Sequence, residues 1–71
     1  MIVVTQAEQH LGDATSKKFL IQAFADDKDE VVPGATFVDM PKGGTMYPGS
    51  RLYTANGDVA FLKSDGTWNW I

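Results

Sequence analysis

The chain has 71 residues, no cysteine and a formal net charge of −3. One small domain, residues 1–71, is all that this length supports, and such a domain buries only about 60% of the surface its unfolded form exposes. Without cysteine it has no disulfide and no thiolate metal site, and its acidic balance, with Lys17, Lys18, Lys28, Lys42, Arg51 and Lys63 scattered, excludes the basic patch that nucleic acid or an anionic membrane needs.

Ile2 to Thr5 are β-branched after Met1 and read as a first strand. This apolar run is far too short for a signal-peptide core or a membrane span, so a cytoplasmic protein with no leader is expected. Thr5-Gln-Ala-Glu8 matches a capping box, which predicts a short helix over Gln6–Leu11 stopped by Gly12. Six residues are marginal without tertiary support, so a loop or a longer strand stays open there. A turn follows over 12–16. Lys17 to Ala25 read as the strongest strand of the first half, apolar on both faces, and hence as central or covered on both sides.

Asp26 or Asp27 is placed to cap one helical turn ending near Val31-Val32. Pro33-Gly34 reverses the chain, and Ala35 to Met40 make a short strand candidate. The glycines and prolines of residues 41–49 predict an irregular stretch. Residues 50–71 read as a three-stranded antiparallel meander, its turns marked by Asn56-Gly57 and Asp65-Gly66.

A two-residue Asn56-Gly57 loop sets Leu52 opposite Phe61 and Thr54 opposite Val59. For the second turn two registers stay open. A loop of Asp65-Gly66, or of Ser64 to Thr67, gathers Leu52, Val59, Phe61, Trp68 and Trp70 on one apolar face, and this continuity favours it. A bulged Ser64-Asp65-Gly66 loop sets Lys63 opposite Thr67 and moves both tryptophans to the face of Tyr53, Ala60 and Leu62. The expected fold class is mainly β, a small antiparallel sheet with at most one or two short helices.

Chemistry-bearing patterns are thin. His10 is the only histidine, and alone it makes no metal site. Asp26, Asp27, Asp29 and Glu30 lack the glycine and glutamate spacing of a calcium loop. Ser16, Ser50 and Ser64 sit beside turn residues, where hydroxyls bond backbone rather than attack substrates. Pro41-Lys-Gly-Gly-Thr fails the phosphate-loop spacing. No enzyme, metal or cofactor is therefore expected. Tyr47, Arg51, Tyr53, Trp68 and Trp70 are the candidate interaction residues, as a protein interface or a stacking platform.

The run Met40-Pro-Lys-Gly-Gly44, Pro48-Gly-Ser50, Tyr53-Thr-Ala-Asn-Gly-Asp58, Phe61-Leu62, Ser64-Asp-Gly66 and Trp68, with Asp26-Asp-Lys-Asp-Glu-Val31 upstream, resembles small proteins encoded by tailed bacteriophages and prophages, often within blocks of virion structural genes. The resemblance spans about residues 19–71 and carries no catalytic residues. By association with those gene blocks it implies a virion component. The expected function is a non-enzymatic, capsid-associated structural protein, in the virion or the host cytoplasm, whose partners are copies of itself or other virion proteins. It would act by burying aromatic and aliphatic surface and by pairing the edge of Thr67–Ile71 or of the N-terminal strand; small unstapled domains commonly gain burial by forming homo-oligomers. The alternatives are a carbohydrate- or cell-surface-binding module using exposed Trp and Tyr, and a phage-encoded binder of a host protein.

Overall fold

The computed structural model describes residues 1–12 and 17–71, residues 10–12 by backbone only. The turn expected over 12–16 lies largely outside these residues. Among them seven strands form one sheet: β1 (Ile2–Gly12), β2 (Lys17–Ala25), β3 (Phe37–Val38), β4 (Gly44–Met46), β5 (Arg51–Thr54), β6 (Val59–Leu62) and β7 (Trp68–Trp70). The order is β3-β1-β2-β5-β6-β7, with β4 also on β2. The mainly β class read from the sequence is therefore observed. The β1–β2, β5–β6 and β6–β7 pairs are antiparallel, while β1–β3, β2–β4 and β2–β5 are parallel, which makes the sheet mixed.

β2 is the central strand, with the bounds its sequence indicates. One edge pairs β1 along the whole length, with register shifts between Val4 and Gln6 and between Gln9 and Leu11. The other edge takes β4 at Lys17–Phe19 and β5 at Gln22–Ala25. The helix expected over Gln6–Leu11 is absent: those residues continue β1. Residues 6–9 each find a partner on β2, and this ladder, the longer strand that the sequence left open, outweighs the local pull of a capping box on a six-residue helix.

The inner face is built in cross-strand rows of alternating size. Val4, Ala23, Leu52, Ala60 and Trp70 form one row through their pairings, and Phe37, Ile2, Ala25 and Thr54 form the next. Alanines beside Leu52 let the sheet curl tightly, as small residues do in the interiors of small barrels. A flat sheet would hold β3 and β7 about 24 Å apart, five steps of about 4.8 Å. Instead Phe37 of β3 stacks on Trp68 of β7, with centroids 6.1 Å apart and planes 16° from parallel. Val31, Ala35, Met40 and Met46 pack against the same core.

Loop chemistry follows the sequence closely between β2 and β3. Asp27 caps the 3-10 turn Lys28–Glu30 in a capping box, and Val32 C=O accepts from Ala35 N–H across Pro33-Gly34. The Met1 amine binds Glu30 and Asp26, and it is the main reason that the Glu30 carboxyl titrates below its ordinary value. Near β4, a Cβ on Gly44 would lie 2.6 Å from Phe19 Cε2 and 2.7 Å from Cδ2. Gly44→Ala is therefore expected to displace the Phe19 ring and destabilise the domain by about 1–3 kcal/mol. A thermal melt matching the parent would contradict that packing.

Both meander turns depart from the favoured register. Thr54 N–H donates to Asp58 C=O and Gly57 N–H to Thr54 C=O, so the first loop is Ala55-Asn56-Gly57. Lys63 N–H donates to Thr67 C=O and Gly66 N–H to Lys63 C=O, so the second is Ser64-Asp65-Gly66. Each is a three-residue loop ending on a left-handed glycine, φ +90° at Gly57 and +88° at Gly66. Leu52 therefore faces Ala60, and Arg51 faces Phe61. Trp68 and Trp70 join Leu52, Ala60 and Leu62 on the inner face, while Val59 and Phe61 turn outward with Tyr53.

Candidate functional site

The corrected registers create a feature on the outer face. Val3 pairs Val38 on one side and Phe24 on the other; Phe24 pairs Tyr53, and Tyr53 pairs Val59. Ile71 N–H bonds Val59 C=O and extends the series. Directly paired residues share a face, so Val38, Val3, Phe24, Tyr53, Val59 and Ile71 form one apolar row crossing the sheet. Phe24 is 40% exposed, Val38 37% and Ile71 79%. Scattered surface hydrophobics are ordinary, whereas a continuous row rimmed by polar groups is a candidate interaction surface.

The rim is the adjoining row Gln6, Gln22, Arg51, Phe61 and Asn69. It borders a shallow groove of about 780 Å³, whose walls include Glu8, Leu20, Arg51 and Phe61. The groove sets one acid and one guanidinium beside exposed apolar surface, the mixture found at the rims of protein interfaces.

The five candidate residues do not converge. Tyr53 belongs to the apolar row and Arg51 to its rim. Trp68 and Trp70 are half-buried against the core, and the Trp68 indole stacks on Phe37. Its accessible side borders a second cleft of about 320 Å³, beside Val32, Pro33 and Met46. Tyr47 is half-buried where β4 gives way to β5, and its backbone N–H donates to Phe19 C=O at 2.8 Å.

Ser50 shows what fills that junction. Its side chain is buried, Oγ accepts from Ile21 N–H at 3.1 Å, and the hydroxyl lies 2.8 Å from Tyr47 C=O, to which it donates. The hydroxyl thus stands in for a backbone partner along the edge of β2 left between β4 and β5. Asp65 is likewise used locally: Thr67 Oγ1 and N–H donate to it, in that order of effect, and hold its carboxyl below its ordinary value.

Sequence reasoning missed Val3, Phe24, Val38, Val59, Phe61 and Ile71 as surface. The available signal was β2 itself, where Leu20 and Phe24 alternate against Phe19, Ile21 and Ala23. Two apolar faces on one strand mean either two covering layers or one face kept for a partner. Among the described residues no three His, Asp or Glu side chains gather as metal ligands would, and no helix is long and apolar enough to cross a membrane. No protein-family model matches the chain, and none of the curated proteins or solved structures compared with it is significantly similar.

Proposed function

We propose that this chain is a non-enzymatic structural protein of a tailed-phage particle, which docks onto another virion protein through the outer apolar row and also self-associates. The single observation that carries docking is the unbroken series Val38, Val3, Phe24, Tyr53, Val59 and Ile71. Phe24 and Tyr53 lie at its centre, where a buried aromatic anchor contributes most to binding, and Arg51 on the rim suits an acidic or amide-rich border on the partner. The virion assignment comes from the resemblance of residues 19–71 to phage structural-block proteins. The half-buried state of both tryptophans weakens the sugar-binding alternative, which uses exposed Trp and Tyr.

The test is packaging. Gradient-purified particles from cells encoding this chain are expected to contain it at a fixed copy number. Phe24→Glu is expected to fold, because the side chain already meets water, and to be packaged at least about tenfold less well, the loss of one anchor residue. Particles lacking the wild-type chain, or packaging a folded Phe24→Glu chain normally, would overturn the proposal.

A further inference from the structure

The long edge of β1 is a second surface, separate from the apolar row. Among the described residues, β3 covers that edge, and only at Ile2 and Val3. Which groups of the remaining edge face outward follows from β2. Phe19 C=O accepts from Tyr47 N–H, and Ile21 N–H donates to Ser50 Oγ, so both residues turn their backbone groups away from β1. Residues opposite such positions form the non-hydrogen-bonded pairs of an antiparallel ladder. Ala7, opposite Ile21, and Gln9, opposite Phe19, therefore turn their own N–H and C=O groups to the open side, where no strand pairs with them among the described residues.

Edge strands are normally short, or guarded by lysine or proline. β3 has two residues, β4 three and β7 three. β1 has eleven, and its exposed stretch Thr5–Gln9 carries no lysine or proline and a single charge, Glu8. We infer that this edge pairs antiparallel with the same edge of a second copy, about a two-fold axis through Ala7. Charge selects both occupant and register. Three two-fold registers set outward-facing residues opposite each other; centring on Gln9 pairs a single residue of the exposed stretch Thr5–Gln9, so two registers lie within that stretch. Placing Ala7 against Gln9 of the second copy puts the two Glu8 carboxylates opposite one another, which is unfavourable. Centring on Ala7 puts each Glu8 opposite a Gln6 amide, a donor for the carboxylate, and joins the two Ala7 residues by a reciprocal pair of backbone hydrogen bonds.

The inference deepens the self-association half of the proposed function, and its test is independent of the docking half. Sedimentation velocity over rising concentration is expected to show a wild-type dimer. Ala7→Pro removes an outward donor that β2 does not use, and Ala7→Lys sets two ammonium groups face to face; both are expected to be monomeric with unchanged circular dichroism. Gln6→Lys faces Glu8 of the second copy twice and is expected to tighten the dimer several-fold, whereas Gln9→Lys, with the same change in net charge, is not. Phe24→Glu is expected to dimerise normally. A wild-type chain monomeric at millimolar concentration, or a folded Ala7→Lys chain that still dimerises, would overturn edge pairing. Equal effects of Gln6→Lys and Gln9→Lys would overturn the register.

Discussion

Leu52→Ala is expected to remove a large share of the stability of this domain. A chain of 71 residues has about 4–11 kcal/mol to lose in total. Leu52 is fully buried, and its cross-strand partners Ala23 and Ala60 are buried as well. Neither alanine can reach across to fill the space a truncated leucine leaves, and both are fixed by their ladders. The cavity should therefore stay open, and Leu→Ala at such a site costs about 2–5 kcal/mol. In a domain of this size that corresponds to a fall in Tm of about 10–30 °C. Thermal unfolding followed by tryptophan fluorescence reads it, with Trp70 in the same row as Leu52. A Tm unchanged within a few degrees would show that the row Val4-Ala23-Leu52-Ala60-Trp70 is not the centre of the core.

Ser50→Ala ranks second, for a different reason. It removes few atoms but leaves Ile21 N–H without its acceptor, at a position where Ile21 is itself buried. An orphaned buried donor costs about 1–3 kcal/mol, a fall in Tm of about 5–20 °C. The local signature separates this from general loosening. Amide exchange at Ile21 should accelerate more than at Ala23, whose side of β2 is covered by β5. Uniform acceleration along β2, or none, would contradict the bridging role of the hydroxyl.

The parts of the fold legible in the sequence were those set by nearest neighbours. β2 emerged with its bounds, the cap as one of Asp26 and Asp27, of which Asp27 serves, and Pro33-Gly34 as a reversal. What stayed hidden depended on distant partners or on one residue of loop length. Thr5-Gln-Ala-Glu8 satisfies a capping box ahead of Gln6–Leu11, yet the fate of that segment was decided by β2. The parallel pairings of β3, β4 and β5 join segments whose sequences carry no mark of each other. Asn-Gly and Asp-Gly suit a two-residue turn, but also a three-residue turn whose last position is a left-handed glycine. Thr54 tips the first hairpin toward the longer form, because its hydroxyl accepts from both Asn56 N–H and Asp58 N–H. The two one-residue shifts together exchange Val59 and Phe61 for Ala60 and Leu62 in the core. The candidate site was invisible for both reasons: Val38, Val3, Phe24 and Tyr53 meet through distant pairings, and Val59 and Ile71 join them only in the longer-loop registers.

Hydroxyl-radical footprinting of the free chain and of purified phage particles tests the central claim most directly. Phe24, Tyr53 and Phe61 are expected to be reactive in the free protein and strongly protected in the particle, while Trp68 and Trp70, already half-covered by the core, change little. Equal reactivity of Phe24 and Tyr53 in the two states, with protection falling on the tryptophans instead, would contradict docking through the outer row.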